Sequence, residues 1–282
     1  MTTTRRLLLP LPALLLTRCA GSAEPARQVG AAGPPPLRMN EANLAQGALV
    51  TAHTAPGTAV TLDGRAVPVS VEGVFALGFA RDAAPVSTLV MTPRDGVPDT
   101  RRLVIRKREW DIQRINGLPE RQVTPNATDL ARIRAEQVRL NAARAVSTSV
   151  PHYATGFSWP VRGRISGVYG SQRILNGQER APHLGLDIAG PAGTPVGPAA
   201  AGRVTLAENL YFTGNTVLVE HGQGVTTLYA HLSRIDVQRG QELAQNEVLG
   251  LRGMTGRATG PHLHLGLFWH ATSLDPATVL EG

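Results

Sequence analysis

The chain has 282 residues, 28 Lys+Arg against 21 Asp+Glu, a formal net charge of +7 at pH 7, 42% hydrophobic residues and a single cysteine. That is long enough for one or two domains with a sizeable core, and one cysteine excludes both an internal disulfide and a Cys-rich metal site. The basic surplus lies in residues 1–150, with 19 basic and 12 acidic side chains, whereas residues 151–282 hold 9 of each. No zinc-finger spacing, base-reading basic helix or aromatic interleaving accompanies the charge, so no nucleic-acid partner is expected.

Residues 1–23 read as an export signal. A charged start, MTTTRR, precedes an apolar stretch from Leu7 to Leu16 and small residues from Ala20 to Ala23. Cleavage after Ala23 would send the chain to the periplasm or cell envelope. The rival is a lipoprotein signal with Cys19 acylated, in which Arg18 stands where a small residue is expected. Residues 24–46, rich in Ala, Gly and Pro, read as a linker too poor in large apolar residues to pack.

Residues 47–110 alternate in short runs: Ala48–Ala52, Ala59–Leu62, Val67–Val71, Val74–Phe79, Thr88–Met91 and Leu103–Ile105. Asp63-Gly64, Glu72-Gly73 and Asp95-Gly96 punctuate them, and Asp-Gly between extended runs predicts hairpins. A small antiparallel β-sandwich-like module follows, without a catalytic constellation; His53 stands alone, and a spacer or docking role is expected. Residues 111–150 read as a basic helical connector. Thr124-Pro125-Asn126 marks a helix start with Pro125 in the first turn and Thr124 or Asn126 as cap, and 127–145 has helical spacing. Residues 101–144 hold 11 basic and 5 acidic side chains. They read as a solvated face, with attraction to an anionic wall or membrane surface as the sharper alternative.

The chemistry lies in residues 151–282. Glycines 163, 167 and 170 alternate with β-formers, and Asn176 to Pro182 reads as a polar loop. His183 and Asp187 follow, with Gly185 between them permitting close backbone approach. Gly202–Leu206, Thr216–Glu220 and Val225–Ala230 read as strands. His221-Gly222-Gln223-Gly224 is a hairpin turn that makes His221 structural, and His231 ends the last strand. Near the end, Gly256, Gly260 and Pro261 deliver the chain into HLHLGLFWH. There His262 and His264 share one strand face, and Leu265, Leu267 and Trp269 continue the alternation. Two imidazoles side by side are the usual mark of a divalent metal. One of them, with a carboxylate and a histidine from a distant stretch, makes the three-ligand set of a catalytic zinc site, whose fourth position is left to water.

HLGLDIAGPAGTPV from His183, LYAHLS around His231 and TGRATGPHLH together resemble the lysostaphin-like (LytM-type) zinc endopeptidases of bacterial cell walls, from near Gly156 to the end. The resemblance implies a compact, mainly β domain with a groove. It implies Zn2+ held by His183, Asp187 and His264, and His231 and His262 as catalytic residues that assist the water and the developing charge. Which of those two carries the proton stays open. The implied reaction is hydrolysis of a peptide bond in peptidoglycan, in glycyl bridges or D-alanyl–diaminopimelate cross-links. Two other functions compete. A non-catalytic relative would activate a separate wall amidase, but such domains lack ligands and all five positions are filled here. A wall-binding protein with structural zinc would need a fourth protein ligand, so His221 or His270 would have to fold inward. His152 and His270 match no motif.

Overall fold

The computed structural model describes residues 1–2, 35–118 and 120–280, leaving aside the side chains of Arg121 and Gln122. The export signal, Cys19 and the first part of the Pro/Gly/Ala-rich linker lie outside the described residues. Residues Ala31–Gly282 form one compact unit that is mainly β, and among the described residues no helix is long and apolar enough to cross a membrane.

Seven strands form the N-terminal module: β1 (Arg38–Met39), β2 (Leu49–His53), β3 (Ala59–Leu62), β4 (Arg65–Val67), β5 (Val74–Gly78), β6 (Val86–Thr92) and β7 (Asp99–Val104). They make two antiparallel sheets of order β1-β2-β5 and β4-β3-β6-β7. Phe75, Leu77, Phe79, Leu89 and Met91 are buried between them. Asp63 (φ 49°) and Gly64 (φ 77°) are both left-handed, the conformation a two-residue hairpin turn requires, and they pair Leu62 with Arg65. The module begins earlier than expected, because β1 pairs with β2 and Leu44 is buried. The expected run Val67–Val71 is no strand. Pro68 cannot donate to a ladder, and the Ser70 hydroxyl accepts from the backbone N–H groups of Glu72 and Val74 to make a turn.

The connector is only partly helical. It opens with β8 (Ile112–Ile115), then α1 (Glu120–Val123) and α2 (Ala127–Arg144). Asn126 is the N-cap, its side chain accepting from the Asp129 N–H at 2.9 Å, so Pro125 precedes the cap rather than occupying the first turn. The α2 arginines are not simply a solvated face. Arg132 pairs with the buried Glu136 (2.6 Å), which also accepts from the Tyr211 N–H (2.8 Å). Arg139 pairs with Glu208 (2.8 Å), and Arg144 lies 4.2 Å over the Phe268 ring. These contacts pin the helix to the C-terminal sheet.

The C-terminal part contains β9 (Arg164–Gly167), β10 (Gln172–Leu175), β11 (Gln178–Arg180), β12 (Leu186–Ala189), β13 (Pro195–Val196), β14 (Gly202–Leu210), β15 (Gly214–Glu220), β16 (Val225–Leu232), β17 (Arg234–Ile235), β18 (Glu242–Leu243), β19 (Gly250–Leu251), β20 (His262–Trp269) and β21 (Thr272–Leu274). Eight of these form one antiparallel sheet, β18-β14-β15-β16-β20-β12-β9 with β21 against β20, and β11-β10-β8 form a smaller one. The stretch read as a polar loop is a hairpin: Asn176 (φ 47°) and Gly177 (φ 80°) turn β10 into β11. Its polar residues give no apolar alternation to read. Module and sheet share a core in which Leu49 and Ala76 meet Tyr153, Phe157, Leu267 and Leu274. Trp269 packs against the cores on both sides, and Gly78 lies so close that a Cβ there would be 2.9 Å from its ring.

His221 is buried in the sheet, between the Ala201 carbonyl (2.8 Å) and the Thr227 hydroxyl (2.7 Å). Burial, against the raising effect of the Ala201 carbonyl, lowers its pKa from 6.5 to about 4. Between those values the unfolded chain binds the proton that the folded one refuses, so stability falls as pH drops from 6.5 to about 4. By linkage the loss from this group is on the order of 3 kcal/mol. Urea unfolding at stepped pH, compared between wild type and His221→Asn, should show this slope in the wild type and a flatter one in the variant.

Candidate active site

β20 presents His262 and His264 on one face while Leu263 and Leu265 enter the core on the other. β12 runs antiparallel beside it with Asp187 opposite His264. On the far side of β12, Gly167 of β9 stands opposite Asp187. A Cβ at Gly167 would lie 2.4 Å from Asp187 Oδ2 and 3.0 Å from His183 Cε1, and one at Gly185 would lie 2.4 Å from His264 Cε1. Only glycine leaves room at either position for the side chains to converge.

The convergence is tight. Asp187 Oδ1 lies 2.8 Å from His264 Nδ1 and 3.1 Å from His183 Nε2, and those two nitrogens are 3.1 Å apart. His183 Nδ1 sits 3.1 Å from the Val168 carbonyl, which can only accept, so that nitrogen carries the proton. Nε2 of the neutral ring is therefore an acceptor facing a carboxylate oxygen. Two acceptors at this distance need a proton or a cation between them. Burial pulls the His183 pKa down to about 4 despite the Asp187 carboxylate, so a proton on Nε2 is disfavoured at neutral pH. Burial pushes the Asp187 carboxyl up, but donation from His264 Nδ1 and the other charges around it outweigh this and hold it well below the usual carboxylate range. Two nitrogen donors and an ionised carboxylate around one point suit a divalent cation, and this trio is the group among the described residues whose ligand atoms come together, all within 4.8 Å.

His231 and His262 stand beside this trio, with ring centroids 4.7 Å apart and His231 6.0 Å from His264. His262 Nε2 is 3.8 Å from Asp187 Oδ1. His262 Nδ1 donates to the Gly260 carbonyl and His231 Nδ1 to the Thr255 carbonyl, both at 2.8 Å. Each ring is thus held in the tautomer whose other nitrogen can accept. His231 reaches the groove through a backbone distortion. Its φ is 61°, its N–H donates to the Thr213 carbonyl, and the β15–β16 register slips between Asn215 and Val217. Such irregularities re-aim side chains beside functional sites, and a left-handed non-glycine costs about 1–3 kcal/mol. Burial, then the neighbouring His264 and His262, lowers the His231 pKa to about 3.

Four of the sequence-predicted residues, Asp187, His231, His262 and His264, line one groove of about 200 Å³, and the fifth, His183, is buried behind it within 3.1 Å of Asp187 and His264. Phe212 and Thr213, in the turn between β14 and β15, line it too. Four further residues, to which the sequence reading gave no individual role, complete it. Arg173 on β10 places Nη2 3.5 Å from Asp187 Oδ2, Arg257 lines the wall, and Gln113 and Ile115 of β8 close one side. β8 reaches the groove because it pairs in parallel with β10. His221 and His270 stay outside: His221 is held in the sheet interior, and His270 lies beside Trp269 with its ring 5.2 Å away.

A groove with a three-donor cation site and two further imidazoles is the equipment of a metal-dependent hydrolase. Residues 181–276 match peptidase family M23. The crystal structure of an M23 peptidase from Pseudomonas aeruginosa superposes with a TM-score of 0.65 at 31% identity, covering 83% of this chain and 94% of that one. The chain belongs to peptidase family M23, whose members are zinc metallopeptidases. It is 44% identical over 105 residues to the peptidoglycan DD-endopeptidase ShyA of Vibrio cholerae, which is 37% of this chain and 24% of that protein. It is 42% identical over 97 residues to the DD-carboxypeptidase/endopeptidase Mpg of Neisseria meningitidis, 34% of this chain and 22% of that protein. The chain therefore spans about a quarter of the length of the curated relatives it matches.

The glycine floor gives a test independent of turnover. Gly167→Ala places a methyl group 2.4 Å from Asp187 Oδ2 and should weaken divalent-metal affinity by about 10–100-fold, the range for disturbing a ligand's support. Chelator competition would measure it, with circular dichroism confirming an unchanged fold.

Proposed function

We propose that this chain is a zinc-dependent endopeptidase that hydrolyses peptide cross-links or stem peptides of bacterial peptidoglycan. The observation that carries the reading is the acceptor-against-acceptor contact of His183 Nε2 with Asp187 Oδ1, beside His264 Nδ1 and two more imidazoles. His183, Asp187 and His264 would hold the metal. Zinc bound there supplies Lewis acidity toward a substrate carbonyl and toward water.

The chain's own residues supply the proton handling. His231 and His262 commit Nδ1 to backbone carbonyls and so offer Nε2 for accepting a proton from the attacking water and returning one to the departing amine. His231, held neutral by burial, starts as an acceptor. The Asp187 contact keeps the His264 ring in place, and Arg173 holds the second oxygen of Asp187. β8, Phe212 and Arg257 give the groove walls that exclude bulk water from part of the site. The names of ShyA and Mpg support peptidoglycan as the substrate. An activator of a separate amidase would leave five intact site residues without a task.

The reading includes export to the periplasm or cell envelope, supported by the charged start and the apolar Leu7–Leu16 stretch, with Cys19 acylation as the rival. It also includes attraction of the connector to the anionic wall or membrane through its exposed arginines, Arg114 and Arg134 among them.

Zinc content and hydrolysis of purified peptidoglycan should be measured together for the wild type, His264→Ala and His262→Ala. The expected pattern is one zinc per chain in the wild type and its loss in His264→Ala. His262→Ala should keep zinc while turnover falls by about 10²–10⁴-fold. A wild type that binds zinc yet releases no fragments would sink the endopeptidase reading.

A further inference from the structure

The turn that holds His183 lies beyond the edge of the main sheet. β9 is an edge strand of that sheet and ends at Gly167, and β10 begins at Gln172 in a different sheet, so residues 168–171 between them belong to no strand. They wrap His183 nonetheless. The Val168 carbonyl accepts from His183 Nδ1 (3.1 Å), the Ser171 carbonyl accepts from the His183 N–H (2.8 Å), and the Gly170 N–H donates to the His183 carbonyl (2.7 Å). The first of these contacts fixes the tautomer in which Nε2 faces Asp187 as an acceptor.

The N-terminal module covers the outer side of this turn. Arg81 donates from Nε to the Gly170 carbonyl at 2.7 Å, a charge-assisted bond. The Trp110 ring lies so close to Gly170 that a Cβ there would be 2.0 Å from its Cε3, and the left-handed backbone of Gly170 (φ 87°) demands glycine independently. Trp110 meets the buried Tyr169 edge-on, with ring centroids 5.7 Å apart. The guanidinium carbons of Arg81 and Arg108 lie 5.2 and 4.6 Å from the centroid of the Trp110 ring and steady the indole. Gly47 of the module approaches the Tyr169 ring so closely that a Cβ there would be 3.0 Å from it. The Tyr169 hydroxyl points to the C-terminal part and donates to the Ser273 carbonyl at 2.8 Å.

We infer that Arg81 and Trp110 are positioning residues for His183: the module clamps the 168–171 turn and through it directs a metal-binding imidazole. The inference rests on the cation-site reading of His183, Asp187 and His264 and is independent of the substrate. Neither Arg81 nor Trp110 lines the groove. Each acts through the turn, because a ligand imidazole whose far nitrogen is hydrogen-bonded keeps both its tautomer and its direction, and disturbing that partner lowers metal affinity. A segment without ladder bonds opens locally unless other contacts hold it, and here the module supplies them.

The test uses the full chain as wild type, Arg81→Gln, Arg81→Lys, Trp110→Leu and Trp110→Phe. Ser70→Ala, which removes a hydroxyl that organises a separate turn of the module, serves as the stability control. Chelator competition gives zinc affinity, the visible absorption of the cobalt-substituted protein gives ligand geometry, and hydrogen exchange is followed at the His183 and Gly170 amides of the metal-free protein. Arg81→Gln and Trp110→Leu should each weaken zinc affinity by about tenfold, alter the cobalt bands and speed exchange at both amides by about tenfold or more. Arg81→Lys and Trp110→Phe should recover part of each loss. Ser70→Ala should lower the urea unfolding midpoint and leave all three readouts as in the wild type. Unchanged affinity and cobalt bands in both Arg81→Gln and Trp110→Leu overturn the inference, as does an equal loss of affinity in Ser70→Ala. A wild type that binds no zinc defeats the cation-site reading instead. Amide exchange then decides the clamp alone: faster exchange at His183 and Gly170 in Arg81→Gln and Trp110→Leu upholds it, and unchanged exchange overturns it.

Discussion

The site depends on one oxygen atom. Asp187 Oδ1 is shared between His183 Nε2 and His264 Nδ1, and the proton on the other nitrogen of His183 prevents that ring from donating to it. In the absence of a cation the arrangement is electrostatically frustrated, because lone pairs face each other in a buried place. The surrounding framework maintains it nonetheless. The β12–β20 register sets Asp187 opposite His264, and the absent side chains at Gly167 and Gly185 let the groups approach. Frustration held by a rigid sheet is a form of preorganisation, and a dication held by His183, Asp187 and His264 would relieve it.

The two remaining imidazoles are placed by different devices. His262 comes from period-two alternation, two residues before His264 on the same strand face. His231 belongs to the neighbouring strand, where Ala230 is the residue opposite His264. Regular pairing would turn the next side chain to the far face of the sheet. The left-handed backbone at His231 and the slip against β15 undo that, and bonds to Thr213 and Thr255 hold the distorted segment. Local strain is offset by hydrogen bonds that also fix the ring's tautomer, so one set of contacts positions and prepares the residue.

What the sequence made legible follows from these devices. His262 and His264 were readable because strand periodicity is local, and Asp63-Gly64 because turn chemistry is local. His183, Asp187 and His231 were readable through motif order and family resemblance rather than spacing alone. Arg173 and Arg257 lie in stretches that the family resemblance covers, but nothing local marks either side chain for a role. Arg173 sits in a short hairpin whose residues are polar, and Arg257 in a turn, and each reaches the groove through tertiary placement. The connector misled for the same reason. A four-residue strand with partly exposed alternate residues shows no core-facing pattern, and its partner β10 is almost sixty residues away in sequence. The arginines of α2 read as solvated because the acidic and aromatic groups they meet, such as Glu208 and Phe268, lie on other elements.

The module's place in the fold argues against treating it as a detached spacer. β20 starts in the groove at His262 and ends at Trp269, whose ring packs into both the module core and the shared core. Gly78 of β5 lies against that ring, and Arg108 reaches across to Asp275 just after β21 at 2.8 Å. On leaving the module the chain becomes β8, which pairs with β10 and forms a wall of the same groove. The strand bearing two of the site's histidines is thus braced by the module at its far end, and the groove is closed on one side by the segment that the module feeds. A close-packed core transmits displacement rather than absorbing it. Loosening the module would therefore act on the groove by two covalently continuous routes, through Trp269 along β20 and through β8 to Arg173, whose side chain contacts both Gln113 and Asp187.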